Sequence, residues 1–203
     1  MRPTRLRRRW SLALLLQLAV AFPAAAEPRN LLRLVAQWTQ PSDDQGFSGV
    51  TLEVEYAVGA GYAWEFLVTP QIGIELAWSS VSHDVLWMSA GPNRDVGGLR
   101  MSPATLMVNL HSQPGTRANL YIGAGVAYTQ FGDLELRAPY GATRTLSVED
   151  DLRLAAQLAF ELPFTRLWAV NFGARYFEAK ARTIELTLPV KPWIGWVGVR
   201  LQF

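Results

Sequence analysis

Apolar and polar residues alternate along almost the whole chain after residue 30. Leu32, Leu34, Ala36 and Trp38 share one parity, and Arg33, Val35 and Gln37 the other. Every even position from Val50 to Val68 is apolar, whereas the odd positions include Thr51, Glu53, Glu55, Gly59, Gly61 and Glu65. The same rhythm returns at Ile72–Trp78, Ala104–Leu110, Leu120–Tyr128, Leu152–Leu162 and Trp168–Tyr176. It closes the chain: Trp193, Val197, Val199, Leu201 and Phe203 oppose Pro192, Gly198, Arg200 and Gln202. A strand turns successive side chains to opposite faces, so each stretch predicts a strand with one apolar face and one small or polar face.

Eight such strands follow one another, with connections alternating long, short, long, short, long, short, long. Short turns are expected at Thr69–Gln71, Gln113–Arg117 and Pro163–Arg166, and long connections at His83–Met101 and Gly132–Glu149. The turn within Glu178–Lys191 is not fixed by the pattern. An apolar terminal strand has to pair, and closure against the first strand removes both free edges. The polar face carries Arg, Glu and Gln among many Gly and Ala residues, which suits a narrow interior. Aromatic residues on the apolar face, Trp38, Tyr62, Trp78, Tyr128, Trp168, Tyr176 and Trp193, sit near strand ends, where rings settle at membrane interfaces. A soluble barrel needs the opposite polarity. The fold class is therefore all-β, an eight-stranded antiparallel up-and-down transmembrane β-barrel. The Val50–Val68 strand would rise about 45–50 Å against an apolar band about 25 Å tall, so it is expected to project beyond the membrane with unbroken phase.

Residues 1–26 read as a cleavable secretory signal: basic Arg2 to Arg9, the apolar run Trp10–Phe22, then Pro23 and Ala24-Ala25-Ala26. The barrel is expected to span 27–203. The signal changes the charge balance. Five of the nineteen bases and none of the seventeen acids lie in residues 1–26, which leaves fourteen against seventeen, or −3. That balance gives no bulk attraction for nucleic acid. Cysteine is absent, which excludes thiol catalysis, disulfides, thiolate metal sites and a lipidated N-terminal Cys. The two histidines, His83 and His111, stand in no catalytic or metal-binding motif, so no enzyme activity, metal or cofactor is expected.

The candidate sites lie on the inward face and at the outer connections. Glu65, Glu75, Met107, Arg153, Glu161, Arg175 and Arg200 point to the lumen, as does Arg33. The charged ones serve either as an ion-paired filling or as a polar pore lining, because a buried charge requires a partner. Leu86, Trp87 and Met88 form an apolar cluster in the second long connection, either a mouth for hydrophobic ligands or a loop packed on the rim. Pro103 begins the fourth strand. It cannot donate to the ladder, and with Ser102 it could leave a lateral opening near the outer rim, or simply mark a strand start.

The segments Thr69-Pro-Gln-Ile-Gly-Ile-Glu-Leu76, Ser102-Pro-Ala-Thr-Leu-Met107, Asn119-Leu-Tyr-Ile-Gly-Ala-Gly-Val-Ala-Tyr-Thr129 and Lys191-Pro-Trp-Ile-Gly-Trp-Val-Gly-Val-Arg-Leu-Gln-Phe203 resemble, in this order, the outer membrane protein W family. The resemblance implies a barrel in the bacterial outer membrane with a narrow, largely apolar lumen. It implies passage of small hydrophobic molecules, with release through a side opening in the wall. Outer-membrane lipids are then its surroundings, and the strand ending at Phe203 addresses the barrel-assembly machinery. The working unit is expected to be a monomer. Positions that constrict the lumen in the family fall at Ala77 and Arg175, where this chain has a small residue and a charge. The rival reading is a non-conducting structural or surface-recognition barrel acting through its outer loops.

Overall fold

The computed structural model describes residues 29–40, 45–47, 50–88, 94–112, 118–137, 143–183, 187–190 and 192–203. The signal segment and the expected turn at 113–117 fall outside them. Described residues form fourteen strands and no helix. These are β1 (Asn30–Gln40), β2 (Gln45–Phe47), β3 (Val50–Val54), β4 (Ala57–Leu67), β5 (Ile72–Met88), β6 (Arg94–His111) and β7 (Asn119–Phe131). They continue as β8 (Leu134–Arg137), β9 (Thr143–Leu146), β10 (Asp151–Pro163), β11 (Trp168–Phe177), β12 (Ala179–Arg182), β13 (Thr187–Val190) and β14 (Trp193–Gln202).

Eight of them close a ring in the order β1, β4, β5, β6, β7, β10, β11, β14, each antiparallel to its neighbours. The last strand meets the first from Leu31↔Gln202 to Gln40↔Trp193. Closure leaves none of the eight with a free edge in the membrane, where an unpaired backbone group costs several kcal/mol. The start of β1, the end of β14 and the turns after Leu67 and Pro163 gather at one end. Asn30 N–H donates to the Phe203 carbonyl, Gln202 N–H to Leu167, and His111 N–H to Gln71.

The barrel is inside out relative to a soluble protein. Leu154 is 81% exposed and Leu34 56%, whereas Arg33, Glu65 and Asn109 are at most 1% exposed. Outward Trp38, Tyr62, Trp78, Tyr128, Tyr176 and Trp193 form a belt toward the long-connection end. Tyr62 packs on Trp78 at 5.7 Å between ring centroids, and Tyr176 on Trp193 at 5.0 Å. Outward Phe164, Leu167, Trp168 and Phe203 mark the short-turn end.

Three features differ from the sequence expectation. The Val50–Val68 stretch does project, but its phase slips. Ala60 pairs with Ser80, and the same register would set Val54 against Leu86; instead Val54 pairs with buried Val85. The extra residue is taken up at Glu55–Tyr56 between β3 and β4, a bulge that keeps the projecting sheet twisted. Second, His83–Met101 is not a loop. Residues 83–88 and 94–101 continue β5 and β6 beyond the belt as a paired extension, because Val81, Val85, Leu99 and Met101 bury an apolar face there. Consequently Pro103 lies inside β6 rather than at its start. Third, the stretch 132–149 holds the hairpin β8–β9, and β12 pairs with β13 within 178–191. Ala181 and Val190 of that second hairpin are buried with the apolar extension.

Candidate functional site: a charged plug, a chamber and a seam

Inward positions near the short-turn end carry the charges the alternation placed there. Arg33 on β1 reaches the barrel axis and donates to Glu65 on β4, to Glu75 on β5 at 3.0 Å and to Glu161 on β10 at 2.9 Å. Arg175 on β11 donates to the other Glu75 oxygen at 2.7 Å and to Gln157. Arg200 on β14 stands 3.8 Å from Glu161. Three guanidinium groups therefore balance three carboxylates. Neutral side chains satisfy the remaining lone pairs. Asn109 donates to Glu65 and Glu75, Gln157 to Glu75 and Asn109, and Asn119 to Glu161. His111 Nδ1 accepts from Asn119 at 2.8 Å, so its proton sits on Nε2 and faces Glu65 at 2.9 Å. Tyr121 lies under the Arg33 guanidinium, and Trp196 donates to Asn171 at 2.6 Å.

This network is a plug. Arg33, Glu65, Glu75, Glu161, Asn109, Asn119 and Asn171 are all nearly inaccessible. The space is made partly by glycine: a Cβ on Gly73 would overlap the Glu65 carboxylate, so that carboxylate can fold against the wall only where the wall has no side chain.

Above the plug, toward the belt, lies a chamber of about 30 Å³ whose lining includes Gln37, Gly61, Ala77, Ser79, Arg175 and Trp196. Among the described residues, the buried Gln37 Nε2 has no hydrogen-bond partner, nor have the buried hydroxyls of Thr39 and Thr105. Beyond the chamber the lumen turns apolar. Met107, Ile194, Phe177 and Ala179 pack together, and the apolar core of the extension lies beyond them.

Beside the chamber the wall has a seam. On its β7 side Pro103 keeps a regular partner, Thr129. On its β5 side the ladder skips from Trp78↔Ala104 to Val81↔Met101 without a change of register, so Ser79 and Ser80 have no ladder pair with β6. Proline lacks the N–H that this side needs. Side chains bridge the gap instead: the Ser80 and Ser102 hydroxyls are 3.1 Å apart, and Arg100 donates to Ser80 at 3.1 Å. Ala104, next to Pro103, pairs with both Trp78 and Tyr128 of the belt, so the seam lies at the level of the outer interface.

Of the residues singled out from sequence, Glu65, Glu75, Glu161, Arg175 and Arg200 meet in the plug. Ala77 lines the chamber and Met107 the apolar layer above it. Arg153 stands apart, bound at 2.9 Å to Asp151 near the outer rim, its side chain about a third exposed at 32%. Leu86, Trp87 and Met88 are not loop residues; they end β5, where Leu52 and Thr51 pair with Trp87 and Met88. Leu86 is half-buried, and the side chains of Trp87 and Met88 lie outside the described ones. Tyr121, Ile194 and Trp196 were not anticipated, although each holds the inward parity of its strand; an apolar residue in polar phase was the available signal.

The family profile that matches is the OmpW family, over residues 35–203. Comparison with curated proteins finds no match in sequence. Among solved structures, OprG of Pseudomonas aeruginosa superposes with a TM-score of 0.73 at 19% identity, over 87% of this chain and 97% of that one. OmpW of E. coli gives 0.56 at 21% identity, over 88% and 100%. Ail, the attachment invasion locus protein of Yersinia pestis, gives 0.56 at 10%, again over 88% and 100%. These structural likenesses show the shared barrel fold, and the family match covers nearly all of the barrel: the chain belongs to the OmpW family and is an outer-membrane β-barrel.

Proposed function

We propose that this barrel passes small hydrophobic molecules across the outer membrane, taking them from the outer side and releasing them sideways through the seam at Pro103. The observation that carries the reading is the coincidence of two features. The axial route is stopped by the Arg33 plug, and an interruption of the β5–β6 ladder lies beside the chamber. A hydrophobic solute has little to gain from an ionic plug, since displacing paired buried charges costs several kcal/mol. A seam bridged by two hydroxyls costs about 1 kcal/mol per hydrogen bond to open. Export by the signal of residues 1–26, cleaved after Ala26, and action as a monomer belong to the same proposal.

The test is reconstitution. Liposomes holding the protein should take up the apolar dye N-phenylnaphthylamine faster than empty ones, while planar bilayers show no ionic conductance. Equal uptake with and without protein favours the second reading, a non-conducting structural or surface-recognition barrel. That reading draws support from the filled interior and from the extension, where β3, β8 and the tips of β5 and β6 form a sheet beyond the belt.

A further inference from the structure

The chamber above the plug is polar on one side, and its chemistry narrows what can occupy it. We infer that it is a site for a neutral oxygen atom, the hydroxyl or carbonyl of a small, otherwise apolar molecule, read by the side-chain amide of Gln37. The inference rests on the lateral passage proposed above and names the class of molecule that passage would favour.

Three observations lead there. Gln37 is 4% exposed, lines the chamber, and its Nε2 has no partner among the described residues. An unsatisfied buried donor costs about 1–3 kcal/mol, so the site gains by offering it an acceptor. Second, about 30 Å³ holds one or two water molecules or a group of that size, but not a hydrocarbon tail. Third, Ser79, one of the two β5 residues without a partner across the seam, is itself part of the lining. A molecule lying in the seam can therefore set its polar end against Gln37 while its tail stays among the apolar wall residues.

Charge decides which polar end. The three arginines and three glutamates below are balanced, and the Glu75 oxygens that face this level are engaged by Arg175, Gln157, Arg33 and Asn109. A carboxylate would bring an uncompensated buried charge beside Glu75, which costs several kcal/mol. An alcohol, ketone or ester brings none and replaces a water at similar hydrogen-bond strength.

The experiment follows the Gln37 side-chain amide by NMR in lipid nanodiscs titrated with 1-octanol, octane or octanoate, compared at equal mole fraction in the lipid. The expected result is a saturable shift with 1-octanol, with octane binding about five-fold more weakly and octanoate more weakly still, the ratio one net hydrogen bond supplies. Gln37→Leu, followed through the Trp196 indole signal, should bring 1-octanol down to the octane level. Equal binding of 1-octanol and octane in the unaltered protein overturns the inference, and that comparison needs no variant. Dye uptake separates the two proposals. A protein that takes up N-phenylnaphthylamine yet ignores the hydroxyl defeats only this inference, whereas one that moves no apolar probe defeats the passage itself.

Discussion

Arg33 and Glu161, 128 residues apart in sequence, meet across the barrel interior at 2.9 Å from guanidinium Nη2 to carboxylate Oε1. The same guanidinium holds Glu65 and Glu75. The neighbours β1, β4 and β5 are thus tied to β10 at one buried point, and Arg175 and Arg200 complete the charge balance. Removing Arg33 leaves three carboxylates facing one another out of water. Arg33→Met should destabilise the folded barrel by about 3–5 kcal/mol, the range for a buried pair that loses one member. Urea unfolding in micelles reads this directly, and an unchanged midpoint would show that water already reaches the plug.

Gly73 tests how tightly that point is packed. Its missing side chain is where the Glu65 carboxylate lies. Gly73→Ala should push Glu65 from Arg33 and cost about 1–3 kcal/mol, the usual penalty of overfilling a packed interior. Gly98 offers the control: a Cβ there meets only the His83 carbonyl, at 3.8 Å. Gly98→Ala should change thermal stability far less.

The projecting extension should respond to acid. His83 is buried; its Nδ1 bonds the Glu55 carbonyl at 2.8 Å, and its Nε2 has no partner among the described residues. Burial among Val81, Val85 and Leu99 holds its pKa below the ordinary 6.5, only partly offset by the Glu55 carbonyl and by the nearby Asp84 carboxylate. A group whose folded pKa is lowered binds its proton more readily when unfolded. Its contribution to stability is therefore complete above about 6.5 and is lost as pH falls through the folded value. Hydrogen exchange at Val81–Val85 and Gly97–Met101, corrected for intrinsic rates, should quicken between pH 7 and pH 5. His83→Leu should flatten that dependence.

Asp151 anchors the β12–β13 hairpin. It accepts from the Lys180 backbone at 2.8 Å and from Arg153 at 2.9 Å. Partial burial pushes its pKa up, but these two bonds outweigh it and hold the carboxylate ionised below the usual range. Asp151→Ala should raise the exchange rate of the Lys180 amide several-fold, with no change at Asn171 in the plug.

Strand number, closure and polarity were legible because period-two alternation is a local property: Leu32 to Trp38 announces its outward face without reference to any other strand. The plug was half legible. Parity placed Glu65, Glu75 and Glu161 inside, yet their convergence on Arg33 depends on the stagger between strands, which no single stretch encodes. Arg153 shows the limit. It has the inward parity but sits too near the outer end to reach the axis, and binds Asp151 instead. The slip at Glu55–Tyr56 was hidden because the alternation runs straight across it: Val54, Tyr56 and Val58 are apolar, and Glu53 and Glu55 are not. Pro103 was noticed for its missing N–H, but the extension of β6 past it depends on the apolar core formed with β8 and β13.

The claim that passage runs through the side of the barrel, not along its axis, rests on the bridge between Ser80 and Ser102. The chain has no cysteine, so a Ser80→Cys/Ser102→Cys pair introduces the only two thiols. The hydroxyl oxygens they replace stand 3.1 Å apart, close enough for a disulfide to lock the seam. N-phenylnaphthylamine uptake into liposomes should fall to the protein-free rate when the pair is oxidised and return on reduction. Uptake that continues unchanged through the locked seam would contradict the account.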